Sequence, residues 1–365
     1  MGAEAKGGGE RHDDHGSLYG RYRMEWGDNV MKALVTGGTG FLGGHLALRL
    51  RDLGWEVTAT GRSEEAGRRL EQAEIRFVRA DLDDGPRMMQ LCAGQDAVFH
   101  CGALSAAWGK YADFYASNVK GTSHVAEGCL RHEVGRMIHV STPSVYFGGS
   151  HRLNVKECEP LPVRQASAYA RTKRMAETII EQAAGRGLRS VVLRPRAIFG
   201  PGDRTILPKL IQAGEGRGVP MIDAGRGLVD LTYVDNAVDA MLQAYWAPQQ
   251  AVGRVFNITN GEPMPLAEAA ALLFAKLGMP LRTVKLSYPA AYTLASLLEL
   301  TAYLRPGAGE PQLTRATAGM LGRSQTLDIG EARRVLGYEP RVSIAEGLER
   351  FADWWREQRD GHAMV

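Results

Sequence analysis

The sequence predicts an α/β protein built on a doubly wound parallel sheet, with helices on both faces and a smaller C-terminal domain that covers it. Three observations carry that expectation. Short apolar runs alternate with helical stretches from Met31 onward, and the first run, KALVTG, is apolar almost throughout, as a strand buried on both faces must be. Beyond Gly200 the alternation gives way to GPGD, GEGRG and DAGRG, which read as loops.

Residues 1–30 are rich in Gly and charge and carry no apolar period, so they are expected to form a disordered extension, with His12 and His15 as solvated tail residues rather than metal ligands. Strands are then expected at KALVTG, EVTATG, IRFVRA, DAVFHC, RMIHVST and LRSVVLRP, with helices at Gly40–Gly54 and in SAYARTKRMAETIIEQAAG. These elements make 31–200 one domain, to which the late strand of VFNITNG, near 253–260, returns. Residues 201–355 form mainly the covering domain and 356–365 a tail. The apolar stretch SYPAAYTLASLLELTAYLRP contains Glu299 and is too short and interrupted for a bilayer of about 30 Å. It is expected to be a packed or lid helix, and no integral membrane segment is expected.

Composition narrows the function. The chain has 365 residues, 44% hydrophobic and 23% charged, with a formal net charge of +3. No dense Lys/Arg run breaks the mixed pattern, so nucleic acid is not an expected partner and a small molecule is. Cys92, Cys101, Cys129 and Cys158 have neither C-x-x-C nor metal-type spacing, and no signal peptide precedes them. That usage points to a reducing cytoplasm, without disulfides or a metal site.

VTGGTGFLGGHLALRL sets Gly37, Gly40 and Gly43 at G-x-x-G-x-x-G spacing between a buried strand and an amphipathic helix. Glycines there permit positive φ and let backbone N–H groups meet a pyrophosphate at the positive end of the helix dipole, which is the dinucleotide turn of a Rossmann-type fold. Thr39, Phe41 and Leu42 belong to the same turn. The second strand ends in Gly61-Arg62-Ser63 rather than in an acid for a ribose 2′-OH, so Arg62 favours a 2′-phosphate and NADP(H), with NAD(H) the alternative. Asp81 and Leu82 follow the third strand, where an adenine ring is met.

Tyr169 and Lys173 are one helical turn apart and share a face. A free phenol titrates near pH 10, too high for proton transfer at neutral pH, and an adjacent ammonium and a nicotinamide ring are expected to lower it. Ser141, Thr142 and Ser144 lie at a strand end that faces the ligand crevice of such sheets, where a hydroxyl can bond a carbonyl or alcohol, although Ser and Thr at strand ends are also ordinary turn formers. Trp108, Tyr111, Phe114, Tyr146 and Phe147 are candidates for an apolar substrate wall, and Arg196 either for a substrate carboxylate or for a structural ion pair.

Together TGGTGFLG, HCGA at 100–103, STPSVY, YARTK and LRPRAIFGPGD resemble the extended short-chain dehydrogenase/reductases, over Met31 to Trp355. AWGKY, STPSV, LRPR, VDLTYVDNA, EPQLTR and SQTLDIGEARRVLGYEP are most similar to the 3β-hydroxysteroid dehydrogenase-like branch, which includes reductases of 2-alkyl-3-oxo acids. The resemblance implies that Thr142, Tyr169 and Lys173 are catalytic, Lys173 also holding the nicotinamide ribose. It implies that Ala103 and Asn118 lie at the cofactor and that Pro195, Ala197 and Ile198 pack near the nicotinamide; from their places in the sequence, Trp108, Ser144, Tyr146 and Arg196 are expected to contact substrate. It also implies a homodimer formed through helices beside Tyr169. Pro143 and Ser144 stand where the dehydratases of that family carry an Asp-Glu pair, and Gly61 stands where the sugar epimerases keep an acid. The expected activity is therefore ketone/alcohol interconversion on a hydrophobic β-keto or β-hydroxy acid or sterol-like molecule. A nucleotide-sugar epimerase and a non-catalytic dinucleotide sensor are the alternatives.

Overall fold

The computed structural model describes residues 30–305 and 309–363. The extension expected over the first thirty residues falls outside them except for Val30.

Seven strands form one parallel sheet: β1 Lys32–Thr36, β2 Glu56–Gly61, β3 Arg76–Arg79, β4 Ala97–His100, β5 Arg136–Val140, β6 Ser190–Pro195 and β7 Val255–Ile258. Their spatial order is β7-β6-β5-β4-β1-β2-β3. The order reverses between β1 and β4, which pair from Ala33↔Ala97 to Thr36↔His100, so the crevice of the switch point opens where those two strands end. β7 joins the far edge through Val255↔Val192 and its successors, more than sixty residues down the chain from β6.

Each strand serves both faces. In β1, Ala33 and Val35 enter a core with Leu46 and Leu50 of helix α1 (Phe41–Asp52) and with Val238 and Met241 of a later helix, while Leu34 enters another with Met88, Val125 and Ile180. The first core also takes Leu70 of α2 (Glu64–Gln72), and the second face is closed by α3 (Gly85–Leu91), α4 (Gly121–Arg131, entered through a π-helical turn Tyr115–Lys120) and α5 (Ala168–Gly185). With four of five β1 residues fully buried, the continuous apolar run has its physical reason.

A separate core gathers Phe199, Leu207, Ile211, Val219, Phe274, Ile344 and Phe351. It is built from Leu207–Glu215, Leu266–Leu277 and Ile344–Ala363. Two short parallel pairs bind distant segments: Thr283–Leu286 with Val219–Ile222, and Gln325–Leu327 with Arg152–Val155. The apolar stretch forms the helix Tyr288–Leu304, which buries Ala291 and Ala295 but leaves Leu297, Leu300, Tyr303 and Leu304 exposed. Among the described residues no helix is long and apolar enough to cross a membrane.

Candidate functional site

The turn after β1 is shaped so that only glycine fits at its contact points. Gly37 has φ +68°, and a Cβ on it would lie 2.7 Å from the backbone of Gly102, the loop after β4. A Cβ on Gly43 would lie 2.3 Å from the Gly37 carbonyl oxygen, so α1 is pressed directly on the turn. Gly40 is the N-cap of α1 and offers no side-chain acceptor, and no acid occupies the first helical turn. The first N–H groups of α1 are thus left for an anion, which is what a pyrophosphate requires. A dinucleotide fits this cradle. Phe41 and Leu42 pack with the separate core, so what they offer the turn is backbone.

At the end of β2, a Cβ on Gly61 would fall 2.1 Å from Thr39 Oγ1. The Thr39 side chain occupies the space that an acid at position 61 would need. Arg62 is exposed, and Ser63 caps α2 by accepting from Ala66 N–H. Asp81 is exposed and accepts from Asp83 N–H, while Leu82 packs beside Gly102 and Gly121. Ala103, Pro195, Ala197 and Ile198 are half-buried, and Ala197 holds φ +45°, a left-handed backbone unusual for a residue with a Cβ.

Helix α5 starts at a Ser167 cap, whose Oγ accepts from Ala170 N–H, and its inward face buries Thr172, Lys173, Ala176 and Glu177. One turn apart on it, Tyr169 and Lys173 meet the end of β5. The Tyr169 hydroxyl lies beside the side chains of Thr142 and Ser105, which act on it. The Lys173 ammonium donates to Val140 O at 2.6 Å and to His139 Nε2 at 3.3 Å. Burial lowers the lysine to about 8, with the Glu177 charge pulling it back up. For the tyrosine, burial pushes the phenol above its ordinary value, and Ser105 and Thr142 pull it down. The sequence expectation was a lowered phenol. In the protein alone desolvation outweighs these two neighbours, and the ammonium is bonded to β5. The sequence does not point to Ser105, since it lies in an irregular loop five residues past β4 with no motif to mark it.

Thr142 Oγ1 accepts from Ser144 N–H at 3.2 Å and donates to Ser144 Oγ at 3.1 Å, so Thr142, Ser144, Tyr169 and Ser105 form one hydroxyl group cluster. Beneath it Glu177 accepts from Arg194 Nε at 2.8 Å, from its Nη2 at 2.6 Å and from Ser141 Oγ at 2.5 Å. The pair ties α5 to β5 and β6.

Tyr146 is fully buried, receives Arg194 Nη1 at 2.5 Å and donates to Asn257 Oδ1 at 2.9 Å. It is part of that internal network and not of a substrate wall, which corrects the sequence expectation. Phe114 is likewise core, and Tyr111 lies outside under the Arg171 guanidinium at 4.8 Å. Trp108 stays half-buried in the loop beyond Ser105, and Phe147 packs over Gly319. Asn118 is not free to present its amide to a cofactor: Oδ1 accepts from Leu104 N–H at 2.7 Å, and Nδ2 donates to Leu104 O and to Thr172 Oγ1, both at 3.1 Å. It pins the Ala103–Ser105 loop to α5. Arg196 is buried and donates to Gln325 Oε1, whose Nε2 donates to Pro143 O at 3.1 Å. Its Nε–H has no partner among the described residues, and burial lowers it to about 10 against the opposing charge of Asp230. A cavity of about 630 Å³ lies elsewhere, between α5, the 157–165 loop and β7; its lining includes Glu177 and Arg194 but not Thr142, Tyr169 or Lys173. Among the described residues no cluster suited to a metal ion occurs.

Comparison with known proteins agrees with this geometry. The model of the NAD dependent epimerase/dehydratase family matches residues 33–259. A 2-alkyl-3-oxoalkanoate reductase of Stenotrophomonas maltophilia (strain K279a) is 38% identical over 325 residues, covering 88% of this chain and 98% of that one. A 3beta-hydroxysteroid-dehydrogenase/decarboxylase isoform of Arabidopsis thaliana is 33% identical, covering 90% of this chain and 81% of the relative. Among solved structures, MoeE5 in complex with UDP-glucose and NAD superposes with a TM-score of 0.72 at 27% identity, covering 90% of this chain and 99% of the other. With the glycine cradle, the parallel sheet and a family match over more than half its length, the chain belongs to the NAD dependent epimerase/dehydratase family.

Proposed function

We propose that this protein is a nicotinamide-dependent oxidoreductase that interconverts a ketone and a secondary alcohol on an apolar 3-oxo or 3-hydroxy acid. The observation that carries the reading is the hydroxyl pair Thr142–Tyr169 held above the buried Lys173, with Pro143 and Ser144 rather than acids following the threonine. A bound reduced nicotinamide supplies the hydride. Thr142 and Tyr169 bond the carbonyl oxygen, Tyr169 delivers its proton to that oxygen, and Lys173 holds the ribose and favours the phenolate that remains. Ser144 extends the hydroxyl cluster toward substrate, and Trp108 supplies apolar wall.

The carboxylate falls to Arg196, a buried cation that faces Asp230 yet keeps an Nε–H without a hydrogen-bond partner among the described residues, which a substrate anion could take. Named substrates of the relatives fit: an oxoalkanoate for the Stenotrophomonas enzyme and a 3β-hydroxysteroid for the Arabidopsis one. NADP(H) is the preferred cofactor in this reading, because Thr39 fills the place of an acid at Gly61 and Arg62 stands free for a 2′-phosphate. A homodimer through helices next to the Tyr169 helix and a cytoplasmic site, the latter in keeping with four free cysteines, complete the proposal.

The test is oxidation of NADPH and of NADH against 2-alkyl-3-oxo acids, the matching neutral ketones, 3-oxosteroids and UDP-sugars. Faster NADPH oxidation with the 3-oxo acids, weakened selectively for acids over neutral ketones by Arg196→Met, is the expected result. Turnover of UDP-sugars alone would overturn the reading.

A further inference from the structure

A row of buried polar groups runs beneath the site, and the hydride transfer proposed above does not use it. Thr36 pairs laterally with His100 across β1 and β4, and His100 with His139 across β4 and β5. All three are 0% exposed, and the imidazole rings lie against each other with centroids 5.2 Å apart. The row ends at Lys173, 3.3 Å from His139 Nε2.

Hydrogen-bond directions along the row follow from counting protons. Thr122 Oγ1 gives its one proton to Asn118 O at 2.7 Å, so at 3.0 Å from His100 Nε2 it accepts, and His100 carries its proton on Nε2. His100 Nδ1 is then an acceptor and takes the Thr36 hydroxyl proton at 2.7 Å, while Thr36 Oγ1 accepts from Gly102 N–H at 3.2 Å. An ammonium has donors only. His139 therefore accepts from Lys173 at Nε2 and carries its proton on Nδ1, for which the described residues offer no partner.

We propose that His139 is a positioning residue for Lys173: its Nε2 and the Val140 carbonyl fix the ammonium, and its neighbour His100, in the opposite tautomer, ties that arrangement to the glycine turn through Thr36 and Gly102. The role of Lys173 in cofactor binding and proton transfer rests on the function proposed above; the tautomers do not. A neutral acceptor is suited to the task, because a carboxylate at position 139 would cancel the charge that Lys173 is to exert on Tyr169 and the ribose. Both imidazoles stay neutral here. Burial first, and then the Lys173 charge, hold His100 at about 3 and His139 well below its ordinary value. The other groups facing Lys173 are Glu177 on its own helix and Cys101 beyond β4.

Long-range ¹H–¹⁵N NMR of histidine-labelled wild-type protein tests the tautomers directly. Nδ1–H at His139 and Nε2–H at His100, neither titrating between about pH 5.5 and 8.5, are expected. The same tautomer at both, or a titrating His139, overturns the proposal. Two variants test the consequence. His139→Gln keeps an acceptor near the Nε2 position, and His139→Leu fills the space without one. The Leu variant should bind NADPH about tenfold more weakly, the scale of one lost bond to a charged group, and lose the alkaline limb of kcat/KM at lower pH, while the Gln variant stays close to wild type. Equal impairment of both variants reduces His139 to packing and refutes positioning. Should the Leu variant not fold, the wild-type tautomers and Gln-variant affinity decide. Neither the NMR nor the NADPH affinity needs a ketone, so intact binding with no ketone turnover counts against the proposed reaction and not against His139.

Discussion

Replacing Glu177 with glutamine removes one charge from a site where every partner is identified. Its carboxylate takes two bonds from Arg194, at 2.8 and 2.6 Å, one from Ser141 at 2.5 Å and a longer one from the half-exposed Arg174 at 3.5 Å, and the side chains of Glu177 and Arg194 are 3% and 4% exposed. Removing one partner strands the other as an uncompensated buried charge, a loss of about 3–5 kcal/mol. With an m-value of roughly 3 kcal/mol per molar urea, the unfolding midpoint should fall by about 1–2 M. Arg194→Met should lose a similar amount. The double variant Glu177→Leu/Arg194→Met removes both charges of the buried pair and should lose far less than the sum of the single variants. Glu177 also holds the Lys173 pKa up against the burial that lowers it to about 8. In Glu177→Gln that support is gone, so the ammonium deprotonates at lower pH and the alkaline limb of kcat/KM moves down. Urea unfolding followed by tryptophan fluorescence and a pH–rate profile read the two effects. Stability losses additive within about 0.5 kcal/mol, or an unmoved alkaline limb, would refute the reasoning.

Gly43→Ala puts a methyl 2.3 Å from the Gly37 carbonyl, so fluorescence titration should show NADPH binding weakened by at least about tenfold, with α1 forced off the turn. Arg62→Ala should raise the Kd for NADPH by about tenfold or more and leave that for NADH unchanged, since only the former carries the phosphate that a guanidinium holds. Lys173 titrates near 10.5 in an unfolded chain and at about 8 in the fold. Between those values the unfolded chain binds more protons, so this group makes stability rise with pH there; Lys173→Met should abolish that part of the slope in urea unfolding measured at several pH values.

The sheet was legible because its determinants are local. A strand buried on both faces needs an unbroken apolar run, and a dinucleotide turn needs glycine where Gly37 and Gly43 meet backbone. Tyr169 and Lys173 were legible for the same reason, one turn apart on one helix. What escaped depends on partners far along the chain. Tyr146 reads as a wall aromatic beside Thr142, yet Arg194 and Asn257, 48 and 111 residues away, hold it in the interior. Asn118 reads as a ligand, but Leu104 and Thr172 occupy its amide. The pairing of Gln325–Leu327 with Arg152–Val155 joins segments about 170 residues apart with no periodicity to announce it. Ser105 and His139 gave no signal either: one sits in a loop, and the other looks like any polar residue in a strand.

The central claim is that Tyr169 protonates the oxygen of a carbonyl that receives hydride from a nicotinamide. Incubating the protein with C4-deuterated NADPH and a 2-alkyl-3-oxo acid tests it most directly. The account predicts deuterium on the new carbinol carbon, one NADPH consumed per alcohol formed, and a rate in Tyr169→Phe lower by about 10²–10⁴-fold with NADPH affinity retained. It is contradicted by a Tyr169→Phe variant that reduces the acid at the wild-type rate, or by wild-type protein that holds NAD tightly and epimerises a UDP-sugar without consuming NADPH.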